Sequence, residues 1–236
     1  MNILLTGATG FIGYKLLKEL RHEGHKVLIL IRDSNISAKE KYKNLIIKLG
    51  LNATFVDYCV GDITKPLCEL SKNNINYIKD EISCIIHCAA NVNFDTASAE
   101  ENIKGTQNVL ELAKISGIQN FQYVSTAYVC GKTDEIVYEK NNNPTIFRNN
   151  YEKSKYICEQ ILFNDVHIIP TIYRPSIVVG DSLTGETNSF KAFYIFVKFA
   201  AKLAKAAKFL KSNRFRVNLT GNEPVNLIPV DWVAKT

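Results

Sequence analysis

Apolar and polar positions along this chain repeat with two different periods. Short, nearly unbroken apolar runs recur at residues 2–6 (NILLT), 26–31 (KVLILI), 53–56, 83–87 (SCIIH), 121–125 (FQYVS) and 167–173. Strands of a parallel sheet covered on both faces need such runs. Segments of helical spacing lie between them. In 11–23, Ile12, Leu16, Leu17 and Leu20 fall on one face, and Gly24 stops the helix. Residues 97–117, with Val109, Leu110, Leu112 and Ala113 in the second half, and 151–163 read the same way. Strands alternating with helices predict an α/β fold built on a doubly wound parallel sheet.

Beyond Pro175 the pattern changes. Residues 178–188 are rich in Gly, Asp, Ser and Thr and read as a loop, 189–210 as a long amphipathic helix, and 225–230 as a short strand. Residues 230–235 look like the start of another helix. The expected organisation is a sheet domain over 1–180 and a small C-terminal lobe over 181–236. That lobe reads as truncated, with a basic amphipathic helix and a return strand to the main domain.

Composition narrows the class. Six scattered cysteines with no C-x-x-C pair argue against a zinc site and against a disulfide framework, so no metal is expected. The chain opens directly in an apolar strand, with no secretory leader pattern, and its apolar stretches are too short for a membrane span. A reduced, cytoplasmic protein follows. Net charge is +6, yet residues 190–216 hold six Lys, two Arg and no acid, leaving 6 − 8 = −2 for the rest. A nucleic-acid partner would spread its basic surface differently and is not expected.

The strongest chemical signal follows the first strand. Thr6-Gly7-Ala8-Thr9-Gly10-Phe11-Ile12-Gly13 lies between a strand and a helix, the context that gives a glycine fingerprint its meaning. Gly7 permits the tight turn, Gly10 lets backbone approach a pyrophosphate, and Gly13 allows close packing of helix on strand. The open helix N-terminus offers N–H groups to phosphate. This is a dinucleotide-binding, Rossmann-type turn. At the end of the second strand, where an acid would bind a ribose 2′-hydroxyl, Ile31 is followed by Arg32 and then Asp33. Arg32 suits a 2′-phosphate, so NADPH is favoured over NADH, with Asp33 weighing the other way.

A second constellation carries reactivity. Tyr151-Glu152-Lys153-Ser154-Lys155 is a Y-x-x-x-K, and positions four apart share a helix face. Lys155 is expected to lower the Tyr151 phenol from its ordinary value near 10 and to hold the nicotinamide ribose. Ser125-Thr126 ends the fifth strand, where parallel sheets bind ligands. A hydroxyl there polarises a carbonyl, and Thr126 is preferred to Ser125. His87 reads as a satisfied core histidine and Cys88 as a small packing thiol.

Together these elements resemble the extended short-chain dehydrogenase/reductase superfamily from residue 2 to about 235. The runs His87–Phe94 (HCAANVNF), Tyr123–Val129 (YVSTAYV), Arg174–Gly185 (RPSIVVGDSLTG) and Asn226–Val233 (NLIPVDWV) resemble one branch of it. That branch holds fatty acyl-CoA reductases of the male-sterility family and thioester reductase domains. The resemblance implies Thr126, Tyr151 and Lys155 as the catalytic triad. It implies a cofactor site lined by Gly7, Thr9, Gly10, Phe11, Ile12 and Gly13 at the pyrophosphate, Arg32 at the 2′ position, and Asp62 and Ile63 at the adenine. Ala89, Ala90 and Val92 would line the nicotinamide half, with Pro175, Ile177 and Val178 beside them. Asn102, in Asn-x-x-Gly-Thr, would support the site from the middle helix, and Tyr151 and Lys155 would also contact the cofactor. The implied reaction is NADPH-dependent reduction of a CoA- or carrier-linked acyl thioester to an aldehyde or alcohol.

Two other readings share the fold: a nucleotide-sugar epimerase or dehydratase, and a non-catalytic NAD(P) sensor or scaffold. The first expects an acid where Arg32 stands, and the second has no use for the triad. In the basic segment, Lys191, Lys198, Lys202 and Lys205 share one helical face, with Phe193, Phe196, Ala200, Leu203 and Ala207 opposite. That face suits the phosphates of CoA, an acidic carrier protein, or peripheral membrane contact through residues 191–211; a homo-oligomer is also open.

Overall fold

The computed structural model describes residues 1–133, 135–141, 143–187, 189–190, 193–209 and 225–236, and for 206–209 the backbone alone. Six strands, β1 (Asn2–Thr6), β2 (Lys26–Ile31), β3 (Val56–Val60), β4 (Cys84–His87), β5 (Asn120–Val124) and β6 (Ile169–Tyr173), form one sheet. Their order is β3-β2-β1-β4-β5-β6, and every pairing is parallel. The strand order reverses between β1 and β4, so the crevice for a ligand opens above the C-terminal ends of those two strands.

Helices cover both faces. α1 (Phe11–His22) and α2 (Ala38–Leu49) lie on one side, α3 (Lys72–Glu81), α4 (Thr96–Ile115) and α5 (Asn150–Phe163) on the other. Alternate residues of one strand enter the two cores. Val27, Ile29 and Ile31 pack with Tyr14 and Leu17 of α1, whereas Leu28 and Leu30 pack with Ile78, Val109 and Leu112. Each fully buried aliphatic side chain contributes about 1.5–3 kcal/mol. That requirement on both faces explains why β2 has no polar position after Lys26.

Four of these helices start on a side-chain cap: Ser37 for α2, Ser71 for α3, Asp95 for α4 and Asn149 for α5 each accept a backbone N–H. α1 differs. Its N-cap is Gly10, which offers no side-chain hydrogen bond to the first turn.

The structure corrects several expectations. Residues 53–55 are a 3-10 turn capped by Asn52, and the strand begins only at Val56. The loop expected over 178–188 starts inside a strand, β7 (Ile177–Val179). β7 pairs in parallel with β8 (Leu227–Pro229) in a separate two-stranded sheet, so the C-terminal strand does not join the main one. Their pairing crosses the 180/181 boundary. α7 (Val230–Lys235) follows β8 and packs on α1. α6 (Phe193–Phe209) is helical as its spacing predicts. Of the expected apolar face, Phe193 and Leu203 are half-buried, whereas Ala200 is exposed and Phe196 is 74% exposed. Lys191 and the 210–224 stretch lie outside the described residues, as does the side chain of Ala207.

Candidate active site

The glycine turn is built from backbone packed on backbone. Gly7 has φ +76°, and a Cβ there would sit 2.6 Å from the Ala89 nitrogen. A Cβ at Gly13 would sit 2.1 Å from the Gly7 carbonyl oxygen. A Cβ at Gly10 would meet only that oxygen, at 3.2 Å, and otherwise open space. The turn is thus closed behind and bare in front, and α1's uncapped N-terminus lies there. These residues fit a dinucleotide pyrophosphate. Thr9 and Gly10 are exposed and Phe11 and Ile12 half-buried at the same turn.

The residues expected at the adenosine lie past β2 and β3. Arg32 is exposed, its guanidinium 3.8 Å from Asp62. Asp33, which the sequence set against Arg32, is already engaged: its carboxylate accepts the Ala38 N–H at 2.6 Å, at the start of α2. Asp62 accepts from the Thr64 N–H and hydroxyl at 2.9 and 2.8 Å. Ile63 packs over Gly105 of α4, where a Cβ would come within 2.9 Å of its Cδ1. Beneath this loop, Leu67, Cys68 and Glu69 are consecutive left-handed residues, φ +47° to +57°. They let the Cys68 carbonyl accept the Asp62 N–H at 2.8 Å.

The other half of the crevice is organised by buried polar side chains. His87, at the end of β4, has Nδ1 2.7 Å from Thr6 Oγ1 and Nε2 3.3 Å from Thr106 Oγ1. Thr6 Oγ1 also accepts the Ala89 N–H at 3.2 Å. Burial, and then the nearby Lys155 ammonium, push His87 down to about 3, so the ring is neutral. Asn102 of α4 accepts the Asn91 N–H at 2.7 Å and donates to the Asn91 carbonyl at 2.8 Å and to Ser154 Oγ at 3.2 Å. Its amide is spent on protein: it clamps the loop of Ala89, Ala90 and Val92 against α5.

α5 delivers Tyr151 and Lys155, and the end of β5 delivers Thr126. Thr126 is buried; its hydroxyl donates to the Pro175 carbonyl at 3.4 Å and accepts the Tyr128 N–H at 3.3 Å. Adjacent Ser125 is buried with its hydroxyl unpartnered among the described residues. The Lys155 ammonium is buried, donates to the Val124 carbonyl at 2.6 Å and lies 4.0 Å from the Tyr123 ring centre. One expectation is overturned here. Tyr151 is not lowered but pushed up to about 12, by burial first and then by Cys88, Cys158 and Glu152. The ammonium points to the Val124 carbonyl, and burial lowers Lys155 itself to about 8. The phenol is therefore a proton donor at neutral pH. Cys88 is pushed up to about 11, chiefly by burial, which leaves it a packing thiol.

The sequence did not single out what holds this half together. Arg174 meets Glu159 in a two-pronged pair at 3.1 and 2.6 Å, with Glu159 fully buried, which ties β6 to α5. Lys15 of α1 donates to Asp181 at 2.8 Å, and Asp231 of α7 accepts the Ser182 N–H and hydroxyl, each at 2.8 Å. These bonds pin the loop after Pro175, Ile177 and Val178 to α1 and α7.

The male sterility protein family profile matches residues 5–236, and the chain belongs to that family. It is similar to the nonribosomal peptide synthetase asaC of Aspergillus flavus, 29% identical over 208 residues, 79% of this chain and 20% of that protein. It is also similar to the L-2-aminoadipate reductase of Saccharomyces cerevisiae, 25% identical over 266 residues, all of this chain and 18% of that protein. The chain thus spans about a fifth of these relatives. Among solved structures it matches the terminal R domain of the myxalamid PKS-NRPS pathway with TM-score 0.82 and 27% identity, covering 99% of this chain and 60% of that one. A UDP-glucose-4-epimerase from Stenotrophomonas maltophila matches with TM-score 0.73 and 22% identity, over 99% and 71%, a likeness of fold alone. The chain is an NAD(P)-binding oxidoreductase-family domain with the doubly wound fold its sequence predicts. Among the described residues no helix is long and apolar enough to cross a membrane.

Proposed function

We propose that this chain is an NADPH-dependent reductase of acyl thioesters carried by a carrier protein or by CoA, acting in the cytoplasm. One observation supports the reading: the Lys155 ammonium donates to the Val124 carbonyl at 2.6 Å, which draws α5, carrying Tyr151, to the end of β5, after which Thr126 follows. The relatives' names, a peptide synthetase and a 2-aminoadipate reductase, are consistent with carrier-linked acyl groups. Gly7, Thr9, Gly10, Phe11, Ile12 and Gly13 would hold the pyrophosphate. Arg32 would hold the 2′-phosphate, favoured because Asp33 is engaged at α2, and Ala89, Ala90 and Val92 the nicotinamide. When bound, the dihydronicotinamide supplies hydride to the thioester carbonyl carbon. The Tyr151 phenol, protonated at neutral pH, and the Thr126 hydroxyl, once turned from the Pro175 carbonyl, donate hydrogen bonds to the carbonyl oxygen as negative charge builds there. Lys155, cationic below about 8, orients the ribose and keeps positive charge beneath the site. Exposed Lys198, Lys202 and Lys205 on α6 suit an acidic or phosphate-bearing partner. Residues 1–180 form the cofactor domain in this reading and 181–236 part of the substrate lobe.

The test is NADPH and NADH oxidation by the purified chain, with and without a medium-chain acyl thioester, followed by nicotinamide absorbance. Thioester-dependent oxidation of NADPH is expected. A firm preference for NADH would sink the Arg32 assignment, and retained NAD with no thioester turnover would move the reading to an epimerase.

A further inference from the structure

Three consecutive residues between β3 and α3 hold a backbone conformation that costs free energy. Leu67, Cys68 and Glu69 have φ +47°, +57° and +54°, and they alone among the described non-glycine residues have positive φ. None is a Gly, Asn or Asp, the types that enter this region readily. Such strain persists only where the surroundings impose it. We propose that this left-handed turn is a positioning device that presets Asp62 and Ile63 to receive the adenine of the dinucleotide; the proposal rests on the reading of those two residues as the adenine site.

The turn is held from several directions. Pro66 precedes it and fixes φ at its entry. Cys68 is fully buried and packs into the core with Leu30, Ile78 and Val109. Its N–H donates to the Lys65 carbonyl at 2.9 Å, and the Leu70 N–H donates to the Leu67 carbonyl at 3.2 Å. The Cys68 carbonyl turns back toward the end of β3. There it accepts the Asp62 N–H at 2.8 Å, and it lies so close to Gly61 that a Cβ at that residue would sit 2.5 Å from its oxygen. Right-handed φ at the same residues would reverse the course of the turn and take that carbonyl off Asp62.

The segment 62–64 is what this arrangement fixes. The Asp62 carboxylate accepts from the Thr64 N–H and hydroxyl, and the Ile63 carbonyl accepts the Asn108 amide at 2.7 Å. The Ile63 side chain lies over Gly105, and Asp62 stands 3.8 Å from Arg32 at the end of β2. A flat base gains little from any one contact with this segment. Its affinity therefore depends on finding the segment already in place, which removes the cost of ordering it on binding.

The experiment reads the adenosine end by calorimetry with 2′,5′-ADP and 5′-ADP, which carry no nicotinamide, alongside thermal unfolding. Glu69 is the clean position: its side chain is exposed and makes no hydrogen bond or ion pair among the described residues. Glu69→Gly removes strain and should raise Tm by about 2–4 °C, with affinity for the tighter nucleotide within about twofold of the parent. Glu69→Val, β-branched and poorly suited to positive φ, should lower Tm and raise that Kd about tenfold, as a segment in place about a tenth of the time would. Gly61→Ala tests the same contact from the other side and serves if Glu69→Val does not fold. Its methyl displaces the Cys68 carbonyl, and the same loss of affinity is expected.

A lower Tm with affinity intact in Glu69→Val and Gly61→Ala would make the turn a mere connector and overturn the proposal. Equal loss of affinity in Glu69→Gly would place the effect in the side chain, not the turn, and would overturn it too. Ile63→Ala tests the underlying reading separately, because it removes the side chain on which the base would lie. Affinity unchanged in that variant, or a parent chain that binds neither nucleotide, takes down the adenine reading and the proposal with it. Affinity lost in Ile63→Ala but kept in the other two variants overturns the positioning role alone.

Discussion

The two halves of the crevice are made in opposite ways. The turn at Gly7–Gly13 is defined by side chains that are missing: backbone lies so close to backbone that a Cβ at Gly7 or Gly13 would fall within 2.6 Å of a main-chain atom. The half at β4, β5 and α5 is defined by polar side chains that are buried and bonded, His87, Asn102, Thr126, Lys155 and Glu159 among them. A dinucleotide phosphate is the same in every substrate complex, so preformed main-chain N–H groups suffice for it. Proton donation needs groups whose protonation is tuned, and tuning requires burial with chosen partners.

The largest effect is expected where chemistry meets that buried half. Tyr151→Phe should lower kcat about 10²- to 10⁴-fold, the usual contribution of a positioned proton donor, while NADPH affinity changes little. Steady-state kinetics with a fluorescence titration of NADPH would separate the two. A variant with near-normal kcat would take the phenol out of the mechanism.

Next comes the frame behind it. Arg174→Met leaves the Glu159 carboxylate fully buried without its partner, a change that costs about 3–5 kcal/mol. Thermal unfolding should show it as a large drop in Tm. Replacing both, with Arg174→Met and Glu159→Leu together, should recover most of the loss, because no charge is then stranded. Equal damage from the single and double variants would mean that the pair is worth more than its desolvation cost.

On the glycine side the effect is smaller and of a different kind. Gly13→Ala puts a methyl 2.1 Å from the Gly7 carbonyl oxygen, and overpacking of this sort costs about 1–3 kcal/mol. The turn must open to relieve it, so NADPH affinity should fall along with Tm. Stability lost with affinity intact would show that the pyrophosphate does not rest on this turn.

The two halves also differ in how far the sequence disclosed them. Gly7, Gly10 and Gly13 stand within seven residues between a strand and a helix, so local order alone announced the turn. Tyr151 and Lys155 were legible as a helical i, i+4 pair, but the direction of the Lys155 ammonium was not. It depends on the Val124 carbonyl and the Tyr123 ring, brought from β5 by the sheet. For the same reason the phenol was expected to fall and instead rises. The Arg174–Glu159 pair and the Lys15–Asp181 bond join residues 15 and 166 positions apart, beyond any local pattern. α2 was legible and passed over: Ser37 and Glu40 form the start signal and Gly50 the stop, φ +61°. α6 failed differently, since its amphipathic spacing predicts a helix but not what, if anything, covers Phe196.

His87 bridges the halves, and its titration offers the finest test of the comparison. On one side it reaches Thr6, whose hydroxyl holds the Ala89 N–H behind Gly7; on the other it reaches Thr106 and feels Lys155. In the unfolded chain the ring takes up a proton below about 6.5. In the folded chain burial and Lys155 hold it neutral down to about 3. Between these values unfolding binds one extra proton, so stability falls as pH drops, by about 1.4 kcal/mol per pH unit from this residue. Other carboxylates add their own slopes, which the variant His87→Gln shares. The difference between parent and variant in urea unfolding from pH 6.5 to 4 should therefore isolate the histidine, with the parent steeper by about that amount. Parallel profiles would mean that His87 protonates in the folded state, and the neutral hinge between the phosphate turn and the catalytic half would have to be abandoned.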